Sequence, residues 1–285
     1  MAEYFALQAA FFFAISHIFI RRGLVTSDAF TGSFISLVMT AVTLVTLSPL
    51  FVPLSLFWTP AVGYFIAAGI FAPALGRIFS YKGIERVGVG RSVPIANSSP
   101  MFSSILAVLV LEEIWTLQNF LGTTLVVLGV VILSRTHRGL GQWRKIDLVY
   151  PLAAALSFGM SAILRKLGLL VQNVPLVAAT VTSTAGLLFA MAMLQMQGGW
   201  RALALSRRGS TWFFAAGLCN TSAMLSVFYG LSFGRVVIVE PLAATNPVLA
   251  ILLSAIFLKD LEVVTFRVVV GALCTVVGTM LVVTS

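Results

Sequence analysis

Charge is what this sequence has least of: Asp, Glu, Lys and Arg make up 9% of its 285 residues, and only nine of those side chains are acidic. So few ionisable groups cannot cover a globule in water. With 59% of residues hydrophobic and a mean hydropathy of +1.05, the solvent of this chain is lipid. Histidine is nearly missing too, with His17 and His137 lying 120 residues apart on unlike segments. There is no His-Glu-x-x-His, no Gly-x-Ser-x-Gly and no pair of intramembrane aspartates, which argues against an intramembrane enzyme and gives no reason to expect a metal or cofactor. A channel filter of the Thr-Val-Gly-Tyr-Gly kind is also lacking. The two cysteines, Cys219 and Cys274, fall inside apolar runs and leave the redox compartment open.

What is present is a succession of apolar runs, each about 20 residues long and so able to cross a hydrocarbon core of roughly 30 Å as a helix. Ten are expected, at 4–20, 30–51, 58–79, 90–111, 118–134, 148–164, 174–195, 211–233, 236–258 and 263–283. The first run begins almost at once, with no basic leader or small-residue cleavage site before it, and is expected to be retained. The net charge of +9 does not mark a nucleic-acid surface, because the basic residues sit singly or in pairs between runs. Of the 18 Lys and Arg, 14 lie in odd-numbered connections, whereas the even side holds Arg165, Lys166 and Arg235. The odd connections are therefore expected to be cytoplasmic and both termini non-cytoplasmic.

The chain also repeats itself. Pro94 and Pro100 recur 147 positions later as Pro241 and Pro247, each pair interrupting a long apolar run. The same offset matches Gly83 to Gly230, Ala96 to Ala243, Ser98 to Thr245, Leu106 to Leu253 and Glu113 to Asp260. Two residues further out of register, Gly122 and Gly129 match Gly271 and Gly278. The expected fold is all-α, with ten transmembrane helices in two halves, 1–137 and 138–285. Five spans per half is an odd number, so the second copy enters the membrane in the opposite sense and the two inverted repeats enclose a central cavity.

The segments PIANSSPMFSSILAVLVLEEIWTLQNFLGTTLVVLGVVILS and EPLAATNPVLAILLSAIFLKDLEVVTFRVVVGALCTVVGTMLVV resemble the EamA family of the drug/metabolite transporter superfamily. The resemblance covers essentially the whole chain and is strongest over spans four, five, nine and ten. It implies a carrier in the inner membrane of a bacterium, moving small metabolites, often exporting amino acids, without ATP hydrolysis. At span one, where relatives commonly carry Trp-Gly, this chain has ISHIF, so contacts attributed to that pair do not transfer.

Each ionisable group inside a span needs a reason, since a charge at the bilayer centre costs about 2.5–3.5 kcal/mol on insertion scales. Glu240 lies one turn inside span nine, beside Pro241, and its counterpart in the first half is Val93. It either holds a substrate ammonium or carries a coupling proton; the bland alternative is an interfacial acid paired with Arg235. Asn97 and Asn246 follow the first proline of each pair and offer more donors and acceptors than a kink needs. Ser98, Ser99 and Thr245 fit backbone repair at least as well as ligand binding. Phe13, His17 and Arg21 align with Ser157, Ser161 and Arg165 at an offset of 144, each triplet on one helical face. His17 is a candidate ligand contact or pH-dependent gate, or else a neutral histidine bonded to a neighbouring helix. Arg77 is a candidate for a substrate carboxylate or a snorkelling side chain, and Asn220 and Tyr229 occupy the corresponding region of span eight. The leading expectation is a secondary carrier for a small polar metabolite, with a solute channel or an enzyme as the competing classes; oligomeric state is not legible.

Overall fold

The computed structural model describes residues 1–87, 95–134, 144–246, 248–249, 253 and 266–284, which are helical with no strand among them. Of the residues singled out above, Pro94, Pro247, His137 and Asp260 lie outside that set. The helices are α1 (Ala2–Gly23), α2 (Ala29–Phe51), α3 (Ala61–Gly69), α4 (Arg77–Val87), α5 (Ser99–Leu111), α6 (Leu117–Ser134), α7 (Val149–Val171), α8 (Pro175–Met196), α9 (Arg207–Phe233), α10 (Val236–Ala243) and α11 (Phe266–Val283). Among the described residues, six stretches are long and apolar enough to cross a membrane: 2–20, 29–51, 61–80, 146–171, 175–196 and 207–233. Shorter apolar helices, Ser99–Leu111, Leu117–Gly129 and Leu273–Val282, accompany them. The chain is an integral, multi-pass membrane protein.

Proline shapes three of these segments. Between α3 and α4 the chain widens into a π-helical stretch, Ile70–Gly76, around Pro73, whose missing N–H cannot complete the α-helical ladder. In the run expected as span four, the helix is broken at Asn97–Ser98, and Pro100 then stands in the first turn of α5, where a missing N–H costs nothing. In the run expected as span nine, α10 ends at Ala243 and the chain turns at Ala244–Thr245. The two breaks are 147 residues apart. In both, a hydroxyl repairs the freed backbone, Ser98 Oγ donating to the Ile95 carbonyl at 2.6 Å and Thr245 Oγ1 to the Leu242 carbonyl at 2.7 Å.

Small side chains set the packing. Without a hydrophobic drive between helices in lipid, association depends on close approach and interhelical hydrogen bonds. Ala2, Ala6, Ala9, Ala10 and Ala14 are all buried on α1, which packs along α9. A second pair that crosses the two halves, α7 with α3, is packed likewise, and contacts of α1 with α10 are matched by those of α7 with α5. A buried hydroxyl ties each of the first two seams: Ser16 Oγ donates to the Ala216 carbonyl at 3.2 Å and Ser161 Oγ to the Ala68 carbonyl at 2.9 Å. Between α6 and α11 the duplicated glycines meet. A Cβ on Gly122 would lie 2.8 Å from the Gly278 carbonyl, and one on Gly129 would lie 2.6 Å from the Gly271 carbonyl. As the α6 number rises the α11 number falls, so these sequence-equivalent helices run antiparallel. Large apolar side chains such as Leu109, Leu117, Leu188 and Met280 are exposed on the outside of the bundle, as lipid contact requires.

Connections sort onto two ends. At one, Ser27 Oγ donates to the Ala204 carbonyl at 2.7 Å and the Ala204 N–H donates to Thr31 Oγ1 at 2.9 Å. Arg22 there stacks on Trp212 and Lys82 on Tyr150. At the other, Gln172 reaches Thr59 and the Leu56 carbonyl, and Gln118 Nε2 donates to Thr284 Oγ1 at 2.6 Å.

The glycine seam yields a stability test. Gly278→Val forces a side chain against the Gly122 carbonyl, which would lie 2.6 Å from its Cβ, and is expected to cost about 1–3 kcal/mol, as overpacking does. Gly63→Ala, at a position whose Cβ would meet nothing within 4 Å, is expected to be neutral or mildly stabilising. Melting of purified protein in detergent checks both.

Candidate functional site

At one end of the bundle, charges are set on helix termini. Glu113, just beyond α5, accepts from the Val236 N–H at 3.0 Å and the Val237 N–H at 3.1 Å, satisfying two of the donors that the first turn of α10 leaves unpaired. Lys166 of α7 does the opposite work, its Nζ donating to the Leu231 and Gly234 carbonyls at 2.8 Å each, at the end of α9. Arg235 reaches across to the Ile114 carbonyl at 3.4 Å. Arg235 is thus engaged by a backbone carbonyl, and Glu240 faces another cation.

That cation is Arg165. It projects from α7 one residue before Lys166, its guanidinium lying 5.4 Å from the centroid of Phe228, a fully buried ring on α9. Glu240 lies on α10, and the charges of Arg165 and Glu240 act on each other. Yet they do not close into a salt bridge: among the described residues, Arg165 Nε and Glu240 Oε1 are both shut off from solvent and without a hydrogen-bond partner. Opposite charges in a low dielectric attract strongly, and here the guanidinium is met by the face of Phe228 instead of by the carboxylate. From the sequence Arg165 is a headgroup anchor at the end of its span or, alternating with Arg21, an attractor for an anionic group; the fold adds the Phe228 ring and the charge of Glu240 to its surroundings.

The other candidates fall into three groups. Arg77 Nη1 donates to Ser36 Oγ at 3.3 Å and Asn220 Nδ2 donates to the same oxygen at 3.0 Å, so one hydroxyl of α2 gathers α4 and α9. Nothing in the sequence marked Ser36. Asn246 is buried, donates locally to the Ala243 carbonyl at 3.1 Å, and leaves its Oδ1 without a partner among the described residues. Asn97 is half-buried at the break before α5. His17 is exposed on α1, next to the fully buried Ser16. Ser161 has no accessible surface and spends its hydroxyl on α3, while Tyr229 is stacked on Phe5 at 5.4 Å.

Two apolar cavities are resolved as well. One of about 580 Å³ lies between α2, α3 and α8, with Ile66, Ile70, Val181 and Leu188 in its wall. A second of about 390 Å³ lies between α5, α7 and the π-helical stretch, and Ser157 borders it. Neither includes Arg165, Glu240 or His17, so the charged pair sits apart from both.

A helical membrane bundle with duplicated broken helices and charges held in its interior belongs to the class of polytopic solute transporters. The EamA-like transporter family matches residues 1–135 and again 146–284. The chain belongs to that family, and is a membrane transporter of the drug/metabolite type with two EamA units. A search of curated proteins finds no match. Among solved structures, a protein crystal structure aligns over 98% of this chain and 95% of its own, with a TM-score of 0.81 at 13% identity. That likeness shows the fold alone.

The terminal charges can be tested individually. Glu113→Gln keeps one acceptor but turns an N–H donor toward the α10 amides, and is expected to cost about 1–3 kcal/mol. Glu112→Gln, at the neighbouring exposed carboxylate, is expected to change stability by less than about 0.5 kcal/mol. Melting midpoints of the two variants side by side are the check.

Proposed function

We propose that this protein is a secondary active carrier that moves a small polar metabolite by alternating access between two inverted five-span repeats. An amino acid or related compound is the first substrate to try, and export the first direction. The observation that carries this reading is the antiparallel meeting of α6 and α11, with Gly122 opposite Gly278 and Gly129 opposite Gly271. Sequence-equivalent helices that run in opposite senses are what an inverted repeat produces. The exchange of partners between α1–α9 and α7–α3 supports the same relation, as do breaks at matching places in two helices. Further support comes from the connections, which meet odd with odd near Ala204 and even with even near Val236, as ten alternating crossings require. The positive-inside bias then puts the Ala204 end in the cytoplasm and the Glu113 end outside, in the inner membrane of a bacterium.

His17, Arg77, Asn97, Ser157, Asn220 and Asn246 are retained as wall residues of the route. Glu240, with Arg165 beside it, is the centre of charge. Ser161 and Tyr229 would serve the wall through the helices they pack. Protons are the candidate coupling ion.

Counterflow in proteoliposomes separates a carrier from a channel or enzyme: trapped unlabelled solute should drive transient, saturable accumulation of labelled solute. Cysteines at His17 and Ser157 should become reactive to small aqueous reagents in opposite conformations. Monotonic, unsaturable equilibration, or simultaneous protection of both cysteines under every condition, would overturn the reading.

A further inference from the structure

We propose that Arg165 and Glu240 form the two poles of a zwitterion site, the guanidinium taking a substrate carboxylate and the Glu240 carboxylate taking its ammonium. This names the substrate class of the route inferred above and rests on that reading. The geometry behind it is a pair of oppositely charged side chains on α7 and α10, helices that pack against each other, with no salt bridge between the two among the described residues. Arg165 Nε points at no acceptor and Glu240 Oε1 at no donor among the described residues, and neither atom reaches solvent. Leaving a charged donor and a charged acceptor unmatched in an apolar bundle is costly, and a molecule that offers one oxygen anion and one N–H cation matches both at once.

Neutrality selects further. A solute with a single charge would leave the site with an unbalanced charge inside the membrane, whereas a zwitterion adds none. The Phe228 ring lies 5.4 Å from the guanidinium and helps seat the acid-binding pole. Both poles belong to the second half of the chain. Their first-half counterparts are Arg21 and Val93, so no second copy of the pair exists by sequence and one molecule is bound per protein. Lys166, the nearest other cation in sequence, is occupied by the Leu231 and Gly234 carbonyls and does not compete for the carboxylate.

The test uses the full-length protein and two separate readouts. In detergent, melting is followed with the twenty L-amino acids added singly, and again with their methyl esters and N-acetyl derivatives. At least one free amino acid should stabilise the wild type, and its ester and N-acetyl form should bind about tenfold or more weakly, the loss of one charge-assisted contact each. Glu240→Gln should weaken the free amino acid by a similar factor yet leave the N-acetyl form unaffected. Arg165→Gln should do the converse, sparing the ester. Both variants are also melted without ligand, and Arg165→Lys, which keeps the charge, should retain part of the binding if the glutamine variant is poorly folded.

Stabilisation by no amino acid overturns the proposal. So does equal binding of esters and acetylated forms, or stabilisation only by phosphatidylethanolamine, whose head group carries the same two charges. Loss of pH-driven uptake in Glu240→Gln with amino-acid binding intact would assign Glu240 to proton coupling and overturn it too. Counterflow with a labelled mixture of bacterial metabolites is run in parallel: exchange of solutes other than zwitterions leaves the carrier reading standing and the site refuted, whereas no exchange at all counts against the carrier itself.

Discussion

Lipid offers no hydrogen bonds, and most of what this bundle does with its polar groups follows from that. Threonine and serine hydroxyls turn back onto their own helices: Thr43 onto the Met39 carbonyl, Thr180 onto Leu176, Thr221 onto Gly217, Ser226 onto Ser222. Each such bond hides a donor that would otherwise face hydrocarbon. Long helices complete their own ladders, but their ends do not, and there the chain spends its few charges. Glu113 lies on the amides that open α10 and Lys166 on the carbonyls that close α9, so scarce ionisable groups are placed where the backbone itself carries partial charge of the opposite sign. A charge kept in the interior without such a duty, as Glu240 and Arg165 are, stands out against that economy.

Duplication makes the solution recur. The same broken-helix problem arises twice, and the same device answers it twice, with Ser98 and Thr245 bonding to carbonyls three residues earlier. The two hydroxyl ties between first-half and second-half helices, from Ser16 and Ser161, sit at nearly matching depths in their spans. Glycines that are redundant within one copy become indispensable where the copies meet, because the close approach of α6 to α11 leaves no room for a Cβ on either side. The interior acid is the exception to that sharing: Val93 stands where the second half has Glu240.

Much of this was legible in the chain. Apolar run length gave the helical membrane class, and the proline spacing located both helix breaks to within a few residues. Among the described residues six stretches meet the length and hydropathy of a crossing where ten were expected; the runs at 90–111, 236–258 and 263–283 lie partly outside those residues, and the breaks at 97–98 and 244–245 shorten two of them further. Side-chain partnerships were less accessible. Arg165 could be placed on a face with Ser157 and Ser161, but that α10 brings Glu240 toward it, and Phe228 beneath it, is a fact of tertiary packing with no local pattern. Ser36 is one hydroxyl among many in α2, and only the arrival of α4 and α9 makes it a junction. Glu113 was visible as a repeated acid without any indication that its oxygens cap a helix in the other half.

The location of the charged pair within one half bears on how a transport cycle would work. Arg165 and Glu240 are carried by α7 and α10, whose neighbours include α3, α4 and α5 for the former and α1 and α5 for the latter, all from the first half. If the halves rock against each other as bodies, the distance between the two charges is kept while the wall around them changes. A ligand spanning both would then hold its two contacts through the movement, and the free energy of binding would not have to be surrendered merely to change sides. The Glu113 bonds tie the first half to the opening of α10, and breaking them would leave two unpaired amides and a carboxylate. Water can satisfy those groups at low cost, which lipid cannot, so the tie is strong while dry and readily broken once wetted.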